Sequence, residues 1–201
     1  MALLTADFYD RPVVEVARAL IGCTVRHGAT AGVIVETEAY HDSEPACHAF
    51  VGLTPRTETL FGPPGLAYVY RSYGIHALLN AVCEAPGAGA AVLIRALAPT
   101  AGLELMHERR TGPAVLRDVD LCSGPGKLTE ALGIGLALNA SSLTRGPIRI
   151  VSRRRGAPEP EIAVGPRVGI TKAMDLPWRF SLAGDPNVSR PRPAGGLNRS
   201  R

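Results

Sequence analysis

The stretch GVIVETEAY, Gly32 to Tyr40, constrains this chain more than any other: its side chains alternate with a period of two, which predicts a β-strand over Gly32–Tyr40. In such a strand Ile34, Glu36, Glu38 and Tyr40 share one face, and Val33, Val35, Thr37 and Ala39 share the other. Two carboxylates two residues apart on one face repel each other. Half-buried, they would raise each other's proton affinity, which is one way to prepare a general base for work near neutral pH. A solvent-facing edge strand whose glutamates pair with arginines fits the same pattern, so the stretch alone leaves both readings open.

The rest of the chain predicts where that strand belongs. Asp10 is placed to cap a helix through PVVEVARALIG, with Pro12 in its first turn, Val13, Val16, Ala17 and Leu20 on one face, and Gly22 closing it. A second strand is predicted over Leu66–Tyr70, after the GPPG run at Gly62 to Gly65, and an apolar third over Ala90–Leu97. Thr100 to Arg110 reads as a helix with Leu103 and Met106 or His107 inward, and Glu161–Ile170 and Trp178–Leu182 read as shorter strands. Strands in runs with few intervening helices predict an α+β fold rather than a doubly wound sheet. A chain of 201 residues holds one well-buried core, so a single domain over residues 1–189 is expected. The closing stretch NVSRPRPAGGLNRSR has too little apolar surface to pack, so residues 190–201 are expected to be a flexible basic tail.

Several classes are argued against at this level. No apolar run approaches the roughly 18 residues of a membrane span, and the start MALLTADFYDRP carries acids where a signal peptide needs basic charge, so a soluble cytoplasmic protein is expected. Cys23, Cys47, Cys83 and Cys122 never form a CxxC pair, which favours buried free thiols over a zinc knuckle or a disulfide framework. CSGPGKL lacks the Gly six positions before Lys127 and the Ser or Thr after it that a nucleotide-binding phosphate loop requires. It reads as a plain turn or as a grip for a DNA phosphate. MHERRT has Thr111 where a zinc helix needs its second His, RDVD at Arg117 to Asp120 reads as a solvated turn, and no HxE precedes a PCxxC. Lys127 and Lys172, the only lysines and so the only Schiff-base candidates, belong to no motif that suggests a nucleophile.

Charge and aromatic residues point to a partner. Residues 1–144 hold 10 Lys or Arg against 14 Asp or Glu, while residues 145–201 hold 12 against 4. Nearly all the bases are Arg, whose planar fork of donors suits phosphate, although a coding bias toward Arg accounts for the same composition. Four of the five tyrosines are Tyr40, Tyr68, Tyr70 and Tyr73, and AYVYRSYG places Tyr68 and Tyr70 on one strand face with Tyr73 just before Gly74. With His48 they could surround a flat ligand. Flat walls suit an extruded nucleobase, and a ring on a tight turn can wedge into the gap left in a duplex. Tyrosines at spacing two are also common on exposed strands.

The runs IVETEAY (34–40), ACHAF with TPR (46–50 and 54–56), FGPPGLAYVYRSYGIH with Asn80 (61–76), VLIRAL (92–97), LCSGPGKL (121–128) and PRVGI (166–170) resemble, in order, the alkyladenine (3-methyladenine) DNA glycosylase family of bacterial type. The resemblance spans about Phe8 to Ser189. It implies a single α+β domain with a curved, largely antiparallel or mixed β-sheet and flanking helices, which flips alkylated or deaminated purines out of double-stranded DNA and hydrolyses the N-glycosidic bond. It implies no cofactor or metal, and a monomer. Carried over by motif, Glu38 resembles the general base that activates water without a covalent intermediate, and Arg95 the arginine that positions that water beside Glu38 and a backbone phosphate. Tyr40 and His48 resemble walls of the base pocket, Tyr70 the ring on the opposite face of the extruded base, and Asn80 a residue of the pocket floor. Tyr73 resembles the wedge that fills the vacated space. The chemistry is coherent in its own right, because an alkylated purine already carries positive charge and leaves readily, so the protein need supply only a base, a place for oxocarbenium charge and aromatic clamping.

The chain departs from the family pattern at Ala77 and Leu78, after YGIH, and at Thr57 and Leu60, which leaves lesion preference open. Glu36 is open too: it holds Glu38 or a backbone amide, or it faces an arginine. Two rival readings stand beside the enzyme, a non-catalytic module binding nucleic acid or damaged DNA, and a metal-assisted hydrolase using Glu36, Glu38, His41 and His48.

Overall fold

A computed structural model describes residues 1–110 and 116–191 of the protein. Strand β2 (Thr30–His41) is its spine, and the long strand β5 (Ala90–Ala101) pairs with it over most of its length. Outward from β5 lie β4 (His76–Val82) and β3 (Ala67–Ser72); on the other side of β2 come β1 (Thr24–His27) and β6 (Ile148–Val151). The far half of β2 changes neighbour and pairs with β8 (Arg179–Leu182), which pairs in turn with β7 (Ile162–Gly165). Among the described residues these eight strands form one sheet, and every pairing between them is antiparallel.

Short helices cover one face. Helix α1 (Ala6–Tyr9) leads into α2 (Val13–Ala19), whose Val13, Val16 and Ala17 are buried together with Leu20, as the sequence predicts. The predicted Asp10 cap is corrected. Asp10 closes α1, Pro12 occupies the cap position of α2, and Glu84, from the segment after β4, accepts the Val13 N–H at 2.8 Å through its carboxylate. A proline offers no side-chain acceptor, so the orphan donor is met by a residue far away in sequence. Gly22 turns the chain with φ near +84° and donates its N–H to the Ile34 carbonyl.

Helix α3 runs over Leu103–Arg109 rather than from Thr100, because Thr100 and Ala101 continue β5 and Gly102 turns at φ near +71° before the helix begins. Met106 is its buried residue. The strand expected over Leu66–Tyr70 runs instead over Ala67–Ser72, and that expected over Glu161–Ile170 shortens to β7, ending before Pro166, which has no N–H for a ladder. Helix α4 (Pro125–Leu132) occupies the segment read as a turn, and buries Leu128, Ala131 and Leu132 in the main core.

One prediction about β2 fails in an instructive way. Ile34 pairs with Leu97 and Glu36 with Ala96, but Thr37 pairs with Ile94, so Val35 and Arg95 have no direct partner. Alternation breaks at this irregularity. Ile34 and Ala39 pack in the main core, and Thr37 donates to the Ala17 carbonyl of α2 at 2.8 Å, whereas Val35 joins Ala96 and Val188 in a separate small cluster. Ile34 is therefore not on the face of Glu36, Glu38 and Tyr40. The break falls where β2 exchanges β1 for β8 as its neighbour.

All four cysteines are free and buried. No helix among the described residues is long and apolar enough to cross a membrane. Of the expected basic tail, Arg190 and Pro191 are exposed, and residues 192–201 lie outside the described residues.

Candidate active site

Strand register assembles the site. Tyr68 on β3 stands opposite Asn80 on β4, Asn80 opposite Leu93 on β5, Leu93 opposite Glu38 on β2, and Glu38 opposite Arg179 on β8. Directly paired residues point to the same side of a sheet, so one row across five strands carries these side chains to a common face. All five are buried. The adjoining cavity is about 870 Å³, and its wall includes Tyr40, His48, Tyr68, Tyr70, Asn80 and Arg95.

The aromatic wall is tightly fixed. The Tyr68 and Tyr70 rings stack with centroids 5.2 Å apart and planes 22° from parallel, and the His48 ring meets Tyr70 edge-on at 4.6 Å. His48 Nδ1 lies 3.2 Å from the Tyr68 hydroxyl, and the Asn80 amide nitrogen donates to the Tyr68 carbonyl at 3.1 Å. A second apolar cluster that includes Cys47, Leu60 and Val82 backs these rings. Burial, helped by the nearby Arg56 charge, lowers the proton affinity of His48 and favours its neutral form. Burial, then the neighbouring Tyr68, pushes the Tyr70 hydroxyl up to about 12, and Tyr70 stays protonated throughout the neutral range.

Tyr73 stands apart from this wall at the tip of the β3–β4 turn, 87 % exposed, with φ near +49°. A bulky residue in the left-handed region is strained, and such strain is characteristic of functional positions. Gly74 follows at φ near +73° and makes the turn possible. Tyr73 still borders the cavity.

Beneath the wall lie two fully buried carboxylates with different surroundings. Glu38 accepts the Tyr40 hydroxyl at 2.7 Å and Arg95 Nη1 at 3.1 Å on one oxygen, and the Val168 N–H at 2.8 Å on the other. A carboxylate offers about four acceptor positions, so these three donors leave one unused. Glu36 accepts Arg95 Nε at 2.9 Å, Arg179 Nε at 2.7 Å and the Ser189 hydroxyl at 3.0 Å on one oxygen, and the Ser189 N–H at 2.8 Å on the other. The open question about Glu36 thus resolves toward arginine, two of them, and a backbone amide. Burial alone works against the charge on Arg95, but Glu38 and Glu36 more than offset it and hold its guanidinium protonated above the ordinary arginine range. The Tyr40 hydroxyl is raised by burial first and then by the charge of Glu38, which keeps it a donor to that carboxylate.

Sequence reasoning missed Arg167. Its guanidinium is fully buried, forms an ion pair with Glu44 at 2.6 Å and donates to the Ala39 carbonyl at 3.0 Å. It also lies over the Tyr40 ring at 4.6 Å and the Trp178 ring at 5.4 Å. Arg167 thereby fixes Tyr40 from behind and anchors the segment whose next residue, Val168, donates to Glu38. The PRVGI run contains it, but nothing in a short loop motif reveals that its side chain turns inward. The start of α4 also borders the cavity through Gly124 to Lys127, so the GPGK part of CSGPGKL lines the site.

The four residues weighed for a metal-assisted hydrolase do not converge. Glu36 and Glu38 are engaged by arginines, His41 approaches Glu84 at 3.4 Å and Ser43 at 2.7 Å, and His48 sits in the aromatic wall. Among the described residues no three His, Cys, Asp or Glu side chains are grouped to share an ion.

A family model described as methylpurine-DNA glycosylase matches residues 7–186. Relatives bearing the name "Putative 3-methyladenine DNA glycosylase" include one from Bradyrhizobium diazoefficiens, 55% identical over 94% of this chain and 92% of its own. Another, from Rhodopseudomonas palustris strain HaA2, is 56% identical over 94% of this chain and 90% of its own, and one from Rubrobacter xylanophilus is 48% identical over 88% and 92%.

Proposed function

The chain belongs to the methylpurine-DNA glycosylase family, and from that premise we propose that it is a monomeric, monofunctional DNA glycosylase of the 3-methyladenine type, working in the bacterial cytoplasm on the nucleoid. It turns an alkylated or deaminated purine out of duplex DNA and hydrolyses the N-glycosidic bond with a water activated by Glu38. The observation that carries this reading is the pairing of an aromatic cavity with a buried carboxylate that has three fixed donors and one unused acceptor position.

In this mechanism the extruded base enters between Tyr40 on one side and Tyr70 with its edge-on neighbour His48 on the other, with Asn80 at the floor. Tyr73 takes the vacated place in the stack, and Lys127 with the start of α4 grips the backbone at the mouth. Water attacks C1′ of the damaged nucleotide as the bond to the base breaks; Glu38 takes the proton, and the products are free base and an abasic site. A cationic methylated purine leaves as the neutral base, so no acid is needed for it. The same carboxylate lies where oxocarbenium charge develops. Glu38 is wholly shielded from solvent, so the water reaches it through a shift of Tyr40 or Arg95, both of which border the cavity.

The test is release of free methylated purines from methylated duplex DNA, with a chelator present, by the native protein and by Glu38→Gln. Release by the native protein and a fall of at least about a hundredfold in the variant is expected, as for loss of a general base. Retained DNA binding with no release by the native protein would instead support a damage-binding module, and loss of release on adding chelator would support the metal-assisted reading.

A further inference from the structure

Glu36 is buried as completely as Glu38, yet no step of the proposed reaction touches it. Resting on the reading of Glu38 as the base, we propose that Glu36 is a positioning residue that holds Arg95 back from Glu38 and so keeps an acceptor position on Glu38 open for water.

Arginine presents its donors in a rigid planar fork, and given a single carboxylate it prefers two parallel bonds that occupy both oxygens. Here the three nitrogens of Arg95 are shared among three acceptors: Nε with Glu36 at 2.9 Å, Nη1 with Glu38 at 3.1 Å and Nη2 with the Ser189 hydroxyl at 3.3 Å. Glu38 therefore receives one bond from Arg95 instead of two. Glu36 can do this because it is itself held in place, by Arg179 Nε at 2.7 Å and by the amide and hydroxyl of Ser189 at 2.8 and 3.0 Å.

Charge balance gives the same answer. Two carboxylates and two guanidiniums, all buried, neutralise each other across β2, β5 and β8. Without the charge on Glu36, Arg95 and Arg179 would have Glu38 as their one counter-charge in the cluster, and Arg95 would be drawn onto it with both ends of the fork. Stability does not explain the arrangement, since a buried ionic cluster is commonly matched or bettered by apolar residues of the same volume.

The experiment compares the single-turnover rate of methylated-purine release with the Kd for the same damaged duplex, in the native protein, Glu36→Gln, Arg95→Lys and the double variant. Glu36→Gln is expected to slow release about a hundredfold, the scale of an ångström's misplacement of a reacting group, with Kd within about threefold. Lysine carries its donors on one nitrogen and has no planar fork to lay across both oxygens of Glu38, so adding Glu36→Gln to Arg95→Lys should cost less than about threefold more. Native rate in a folded Glu36→Gln protein, or penalties that multiply in the double variant, would overturn the proposal. Should Glu36→Gln fail to fold, Ser189→Ala removes the hydroxyl bridging Arg95 and Glu36; several-fold slower release at unchanged Kd supports the proposal and a native rate overturns it. A native protein that releases no base overturns the reading of Glu38 instead.

Discussion

The two sides of the β2–β5 pair are built on opposite principles. Toward the helices, Ile34, Ala39, Val92 and Ile94 form a dry core closed by α2 and α4, and the buried Thr37 on that face is satisfied by a helix carbonyl. On the other side Glu36, Glu38, Arg95 and Arg179 are buried together, with Arg167 and Glu44 close behind Tyr40. Apolar burial stabilises by about 25 cal/mol per Å², whereas buried ion pairs roughly break even against their desolvation. One face makes the protein fold, and the other uses that stability to hold charges in a geometry water would dissolve.

The comparison is broken most severely at Arg167. Replacing it with Met leaves Glu44 buried and unpaired, which is expected to cost about 3–5 kcal/mol of stability. Replacing Glu44 with Leu as well should restore stability to within about 1 kcal/mol, while base release stays slower than native, since the anchor behind Tyr40 is gone. Denaturant titration with single-turnover kinetics measures both; recovery of the rate together with stability would show that the ionic face is structural after all. On the dry face the converse applies. Ile94→Ala should cost about 2–5 kcal/mol through lost burial and a cavity, with the release rate per folded molecule unchanged.

A smaller effect comes from His48. Its folded-state proton affinity lies below the ordinary value of about 6.5, so on acidification the unfolded chain takes the proton first. The stability associated with neutral His48 is complete above that ordinary value and is lost as pH falls from it toward the depressed folded value. Thermal melting between pH 7.5 and 5 should show a steeper decline for the native protein than for His48→Gln.

The smallest effect belongs to the tail, which has to be cut beyond the buried segment that precedes it. Asn187, Val188 and Ser189 are buried, and Ser189 bonds both Glu36 and Arg95, so truncation at Pro186 would damage the site itself. Ending the chain after Pro191 removes Arg192, Arg199 and Arg201. If all three meet phosphates, the slope of log affinity against log salt should flatten by at most about 2.7, with excision chemistry untouched.

Much of the site was legible because it lies on regular strands. Alternation alone put Glu36, Glu38 and Tyr40 on one face and Tyr68 with Tyr70 on one face, where their rings stack, and the family resemblance added Asn80 and Arg95, which the register sets in or beside the same row. Alternation failed at Val35 because a ladder irregularity depends on two strands at once and one strand's sequence cannot carry it. The neighbours of Glu36 were hidden for a related reason: Arg179 and Ser189 lie more than 140 residues away in the chain. Helix α4 is marked in the sequence too: Pro125 in its first turn and Gly133 in the left-handed conformation just after it are ordinary helix signals, which the likeness of CSGPGKL to a phosphate loop masks.

The central claim, that Glu38 faces the charge formed at the sugar, is tested most directly by binding. The measurement is the ratio of Kd values for a duplex carrying a neutral tetrahydrofuran in place of the damaged nucleotide and for one carrying a cationic pyrrolidine. An enzyme complementary to an oxocarbenium-like transition state should bind the cation at least about tenfold more tightly, and Glu38→Gln should bring the ratio close to one. Equal affinities in the native protein, or a preference that survives in Glu38→Gln, would contradict the account.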